Sequence, residues 1–182
     1  MATNQKTKGS AKNTEPDKSS KQTISENSTE RVAKDIDLSQ FIPVYNGFQG
    51  KLVYISPRTK EVFKWDSFGD VQEIELRELK NAKSASKAFF VNNWFMFDED
   101  DAWVIDYLGM NKFYKHAISI DHFDDIFTKT PKEIREPVSQ LSAGQKRSVA
   151  YRARQLIKNN EIDSIKAISA LEESLGEELI EK

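Results

Sequence analysis

The chain has no cysteine in its 182 residues, which excludes a disulfide framework, thiolate-bound zinc, an iron–sulfur cluster and any cysteine nucleophile. Glycine is scarce, at seven residues, and none falls in a GxGxxG or GxxxxGK(S/T) pattern, so dinucleotide-type and Walker-type phosphate loops are unsupported. No GxSxG is present either. No apolar run approaches the roughly 20 residues that span a bilayer, and the N-terminus lacks the apolar stretch of a signal peptide. An excess of one charge is also missing. The 27 Lys and Arg face 29 Asp and Glu, a net charge of −2, which gives no global pull toward nucleic acid or membrane.

The charges and apolar residues that are present divide the chain by composition. The apolar fraction of 38% and mean hydropathy of −0.64 are low for a fully packed chain. The deficit lies in residues 1–36, which are almost purely polar and whose few apolar side chains have no period. Such a segment cannot offset an ordering entropy of about 1–2 kcal/mol per residue by burial, so it reads as a disordered tail or a binding arm. Its seven bases and five acids are too balanced for a nucleic-acid arm.

Residues 37–117 read as an α+β module. Gly50–Ser56 is a strand rich in β-branched and aromatic residues, with Leu52 and Tyr54 on one face and Val53 and Ile55 on the other. Pro57–Lys60 turns, Glu61–Trp65 returns, Asp66–Asp70 turns again and Val71–Leu76 makes a third strand. A three-stranded antiparallel meander covered on one face is expected. Apolar residues at helical spacing from Glu75 to Phe90 predict a helix packed on it. The run Trp94–Phe97 is short enough to be a strand that closes the sheet, and the acids Asp98–Asp101 open a helix from Ala102 to Leu108, stopped by Gly109.

Residues 118–182 read as a C-terminal helical bundle. Ser119 caps a short helix through Phe127, and Thr130-Pro-Lys-Glu133 is a capping box with proline at the first helical position. Ser142-Ala-Gly-Gln145 reads as another. The helix after it carries Val149, Ala153 and Leu156 on one stripe, and Asp163 caps a last helix that stops at Gly176. Short connections imply antiparallel neighbours.

Little in these residues points to chemistry. His122 stands among Asp121, Asp124 and Asp125, but adjacent helical residues do not converge on one ion. The acids from Asp98 fail as a calcium loop, because the sixth position holds Trp103 instead of glycine. No catalytic residue, metal ligand or cofactor is assigned, and the chain is read as not an enzyme.

Two features bear on binding. The helix 145–158 carries five bases and no acid, while residues 159–182 hold seven acids and two bases. Lys146, Arg147, Arg152 and Arg154 are therefore candidate phosphate contacts. The other feature is the aromatic content, with 11 phenylalanines and a concentration between Phe89 and Tyr114. Most of these rings belong to a core, but a short sheet does not easily hide aromatics on two faces. Phe63, Trp65 and Trp94 are the candidate protein contacts.

The order of these elements resembles a family. A polar tail, a meander reading Gly50-Lys-Leu-Val-Tyr-Ile-Ser-Pro-Arg-Thr59, then Glu73-Ile-Glu-Leu-Arg-Glu-Leu79, Trp94-Phe-Met-Phe97, Tyr107-Leu-Gly109 and capped C-terminal helices are similar to small virion-associated accessory proteins of tailed phages infecting Gram-positive bacteria. The resemblance covers roughly residues 48–176 and carries over no functional residue. It implies a structural or assembly role in the virion, with other phage structural proteins as partners in many copies and no membrane. It also implies a location in the particle, and in the host cytoplasm during assembly. The alternative is a phage nucleic-acid-associated regulatory protein using the basic helix.

The composition of the first segment generates a test. Deleting residues 1–36 removes almost no apolar side chain, so the midpoint of thermal unfolding is expected to stay within a few degrees of the full chain. A larger fall in differential scanning calorimetry shows that the segment packs on the rest.

Overall fold

The computed structural model describes residues 36–180. The arm expected over residues 1–36 therefore lies, but for Ile36, outside the described residues. Residues Asp37–Lys182 form one compact unit, so the sheet-containing and helical segments are parts of a single body.

Five short strands come early and helices late, an α+β fold as the sequence implies. Alternation sets β1 (Phe41–Asn46), in which Ile42, Val44 and Asn46 are buried and the intervening residues point outward. A hairpin of β2 (Leu52–Ile55) and β3 (Val62–Trp65) follows, then β4 (Val71–Glu75). Helices α1 (Leu76–Ala85) and α2 (Ala88–Val91) lead to β5 (Phe95–Met96). Short helices α3 (Trp103–Tyr107) and α4 (Asn111–Tyr114) and a 3₁₀ turn at Asp124–Thr128 come next. The longer α5 (Pro131–Ser139), α6 (Ala143–Lys158) and α7 (Ile165–Leu175) complete the described chain.

The strands are not connected as a meander. β4 pairs antiparallel with β1, placing Phe41 opposite Glu75 and Tyr45 opposite Val71, and β5 pairs with the other side of β1 at Tyr45 and Asn46. The hairpin β2–β3 is a separate two-stranded sheet. No strand is expected at Phe41–Asn46 from the pattern above, and the strand there contains a proline. Pro43 lies beyond the short β5 pairing, where one side of β1 has no strand partner, the setting in which a strand tolerates proline.

The helix expected over Glu75–Phe90 is interrupted at Ser86, whose φ of −140° is far from helical, so Phe89 and Phe90 belong to a second short helix. Thr130 and Glu133 form the reciprocal capping box. At Ser142 only half of the expected box forms. Its Oγ accepts from the Gln145 N–H at 3.1 Å, while the Gln145 side chain turns away to bond both Ile118 N–H (3.0 Å) and Ile118 O (2.7 Å). The last helix is capped by Ser164, whose Oγ accepts from Ala167 N–H, and not by Asp163. Gly176 ends it in the left-handed conformation at φ 75°.

Two cores share this frame. One is aromatic: Tyr54, Phe90 and Trp65 each meet the Phe95 ring at centroid distances of 5.4–5.6 Å, in edge-on or tilted arrangements. The other lies among the C-terminal helices, with Phe123, Ile134, Val138, Val149 and Leu171 buried together. Polar contacts reinforce the first core and join it to the second. Trp65 donates its indole N–H to Val44 O at 2.9 Å, and Ser148 of α6 donates to Gly47 O at 3.0 Å. Buried Asn46 has all of its side chain engaged, donating to Gly50 O and Ser67 O and accepting from Phe48 N–H, each at 2.8 Å.

The tightest approach is between backbones. A Cβ on Gly47 would strike Asn93 O, and a Cβ on Gly144, in the first turn of α6, would strike Asn92 O. Both obstacles are main-chain atoms that cannot rotate away. Alanine at 144 gains at most about 1 kcal/mol of helix propensity, against an overpacking cost of about 1–3 kcal/mol or more. We expect Gly144→Ala and Gly47→Ala each to lower the unfolding midpoint by several degrees, and together to unfold the chain at 37 °C. An unchanged midpoint for either contradicts this packing.

Candidate protein-contact faces

The hairpin decides which residues are available to a partner. Its paired positions alternate, with Leu52 opposite Trp65 and Tyr54 opposite Phe63 on the inward side. Trp65 is only 1% exposed and Phe63 is also buried. This corrects the expectation that Phe63 and Trp65 contribute to a contact surface, because both rings are spent on the chain's own core. Trp94 is half-buried, packed edge-on against Phe48 and Phe89.

The outward side carries Val53 opposite Lys64 and Ile55 opposite Val62. Val53, Ile55 and Val62 are 48%, 55% and 47% exposed, and lie side by side between exposed lysines. Both faces of this hairpin are apolar, so hydrophobicity alone does not choose between them. The signal that does choose is charge: turning the strands over would bury Lys64 and Lys51, at a cost far above the gain from three aliphatic side chains. Lys51 keeps an exposed pairing with Asp66 at 3.7 Å, and Arg58 and Lys60 stand exposed in the turn.

A second outward face lies on β1 and β4. Phe41, Pro43 and Tyr45 sit beside Glu75, Glu73 and Val71 on the side opposite to buried Ile42, Val44 and Ile74. Phe41 is 61% exposed and Val71 47%. Tyr45 donates to Asp98 at 3.3 Å, and partial burial together with Asp98, Asp121 and Asp101 raises its pKa. The surroundings of this face are acidic.

The basic helix α6 is only partly free. Arg152 holds Asp124 through Nε at 3.1 Å and Nη2 at 2.6 Å, and Arg154 holds Glu177 Oε2 and Glu178 O, each at 3.0 Å. Lys146 is half-buried, while Arg147 and Tyr151 are exposed one turn apart. Lys146, Arg147, Arg152 and Arg154 thus do not form a single unpaired row, since Arg152 and Arg154 neutralise acids from neighbouring segments.

One buried carboxylate merits comparison with an active-site acid. Glu78 of α1, 4% exposed, accepts a 2.6 Å bond from the Tyr54 hydroxyl, and its other oxygen lies 3.9 Å from Arg58. Burial and this carboxylate push the Tyr54 pKa well above the ordinary phenol range. Two clefts among the described residues lie elsewhere. One of about 270 Å³ is bordered by Asn92, Lys112, His116 and Ser142, and another of about 360 Å³ by Gln49, Phe68, Asp121 and Arg152. The Tyr54–Glu78 pair fastens the hairpin to α1. His122 and Asp125 pair at 2.9 Å on the exposed surface, and among the described residues no group of three or more His, Asp or Glu is placed to hold a metal ion.

No protein-family model, curated protein or solved structure matches this chain.

The Tyr54–Glu78 geometry predicts two outcomes. Glu78→Ala leaves a buried phenol without its acceptor, costing about 1–3 kcal/mol, whereas Arg58→Ala, at a half-exposed site, costs less than about 1 kcal/mol. The raised folded-state pKa of Tyr54 means that its contribution is fully present below the unfolded value of about 10 and is lost as pH rises above it. Alkaline titration followed at once by phenolate absorbance and circular dichroism is expected to show a fraction of tyrosine ionising only as the fold opens. Complete ionisation of all five tyrosines with the fold intact contradicts this burial.

Proposed function

We propose that this chain is a non-enzymatic structural or assembly component of a tailed-phage particle that binds other virion proteins through the outward face of its β2–β3 hairpin. The observation that carries the binding is the row Val53, Ile55 and Val62, each about half exposed on a rigid hairpin whose inward face is locked by Trp65 and Tyr54. Aliphatic side chains held outward between lysines make a contact surface of the common kind, apolar at its centre and charged at its rim. The assignment to a phage particle is supported by the order of elements along the sequence, although the strands at 52–55, 62–65 and 71–75 fall in two sheets and not in a meander. In that setting the protein occupies the virion, and the host cytoplasm while particles form.

The alternative is a nucleic-acid-associated role for α6. Exposed Arg147 and Tyr151 favour it, and the ion pairs of Arg152 and Arg154 weigh against it. Binding through so few free cations is weak and, because few counterions are released, depends only shallowly on salt.

Quantitative mass spectrometry of purified particles tests the main reading. The protein is expected at a fixed copy number, and the triple variant Val53→Glu, Ile55→Glu, Val62→Glu is expected to fold, accumulate in the cell and be absent from particles. Absence of the unaltered protein from particles, combined with specific DNA retardation that survives about 0.2 M salt and is lost when Lys146, Arg147, Arg152 and Arg154 become Gln, establishes the alternative instead.

A further inference from the structure

The two outward sheet faces described above differ in charge but match in kind. The hairpin face sets Val53, Ile55 and Val62 beside Lys64 and beside Lys51, which pairs with Asp66. The β1–β4 face sets Phe41, Pro43 and Val71 among Glu73, Glu75 and Asp98. Neither face is covered by another element to the extent that the inward faces are, since Ile42, Val44 and Ile74 on one sheet and Tyr54 and Trp65 on the other are at most 2% exposed.

We infer that the hairpin face of one copy docks on the β1–β4 face of a second copy, so that the protein associates head to tail with itself. Charge complementarity selects this occupant. Bringing two hairpin faces together opposes lysine to lysine, and bringing two β1–β4 faces together opposes glutamate to glutamate, so a two-fold symmetric pairing is disfavoured. Only the unlike pairing sets cations against carboxylates while the aliphatic side chains of one face meet Phe41 and Val71 of the other. Such a contact leaves one unfilled face at each end, and addition therefore continues to a ring or an open filament. The patches are small, so each contact is weak and becomes effective through repetition. This inference deepens the proposed function by naming a like copy as a partner of the hairpin face.

The test uses the full chain and two variants, each blocked on one face. Ile55→Glu with Lys64→Glu inverts the hairpin face, and Glu73→Lys with Val71→Lys inverts the β1–β4 face. All four positions are exposed, and circular dichroism and thermal unfolding establish that both variants fold. In sedimentation velocity over an about hundredfold concentration series, the unaltered protein is expected to exceed the mass of a dimer. That association is expected to weaken as salt is raised. Each variant alone is expected to stay monomeric, because its inverted face repels the intact face of the next copy. Mixed in equal amounts, the variants are expected to associate again, since the intact hairpin face of one meets the intact β1–β4 face of the other and the two inverted faces are also opposite in charge. A monomer at every concentration, an assembly that stops at a symmetric dimer, a single variant that still associates, or a mixture that does not pair overturns the inference. Loss of the hairpin variant from particles alongside a strictly monomeric protein in solution leaves the proposed function standing with a different partner, so the two fail separately.

Discussion

The structure depends on one close approach, in which the backbone of Asn92 and Asn93 is gripped between Gly47, just after β1, and Gly144, in the first turn of α6. Any side chain at either glycine would meet a carbonyl, so the separation is set by main-chain atoms alone. Around it the polar groups are closed by named partners: Ser142 Oγ donates to Asn92 O at 3.1 Å, Ser148 Oγ donates to Gly47 O at 3.0 Å, and Gly47 N–H donates to Trp94 O at 2.8 Å. This crossing ties the sheet to the longest helix. It explains why residues 37–182 behave as one unit although the composition suggests a sheet module followed by a separate bundle.

From that junction the division of labour among side chains follows. The hairpin leans on the three-stranded sheet through Trp65 and on α1 through Tyr54 and Glu78, so its large aromatic side chains are consumed internally. What remains outside is aliphatic and charged, with Lys51 and Lys64 alongside Glu61 and Asp66. The same register that hides Ile42, Val44 and Ile74 leaves Phe41 and Val71 outward beside Glu73 and Glu75. Exposed apolar surface here is a by-product of register: in each two-stranded ladder the alternate residues lie on the side away from the core.

Much of this was legible in the residues. The hairpin and its turn, the fourth strand, the capping box at Thr130 and the stop at Gly176 all follow from local rules about alternation, proline and caps. Pairings between distant segments were not legible. The partner of Val71–Glu75 lies some thirty residues upstream, in a strand that contains Pro43, and local pattern carries no record of it. The candidate surface was misjudged for a related reason. A short sheet rich in aromatics suggests some exposed rings, whereas Phe63 and Trp65 both turn inward because the opposite face of their strand carries Lys64. In α6 the count of bases was plain, but the pairing of Arg152 with Asp124 and Arg154 with Glu177 is tertiary and has no signature in the helix itself.

The central claim is that the aliphatic face of the hairpin is presented outward and engages protein. Methyl NMR of the full chain with a soluble paramagnetic agent tests it most directly. At low protein concentration the methyl signals of Val53, Ile55 and Val62 are expected to broaden strongly while those of Leu52 and Val44 do not. Protection of the same three methyls, together with that of Val71, is expected to rise with concentration. Methyls of Val53, Ile55 and Val62 that are already shielded in dilute solution contradict the register, and methyls that stay fully accessible at every concentration contradict their engagement with a second copy.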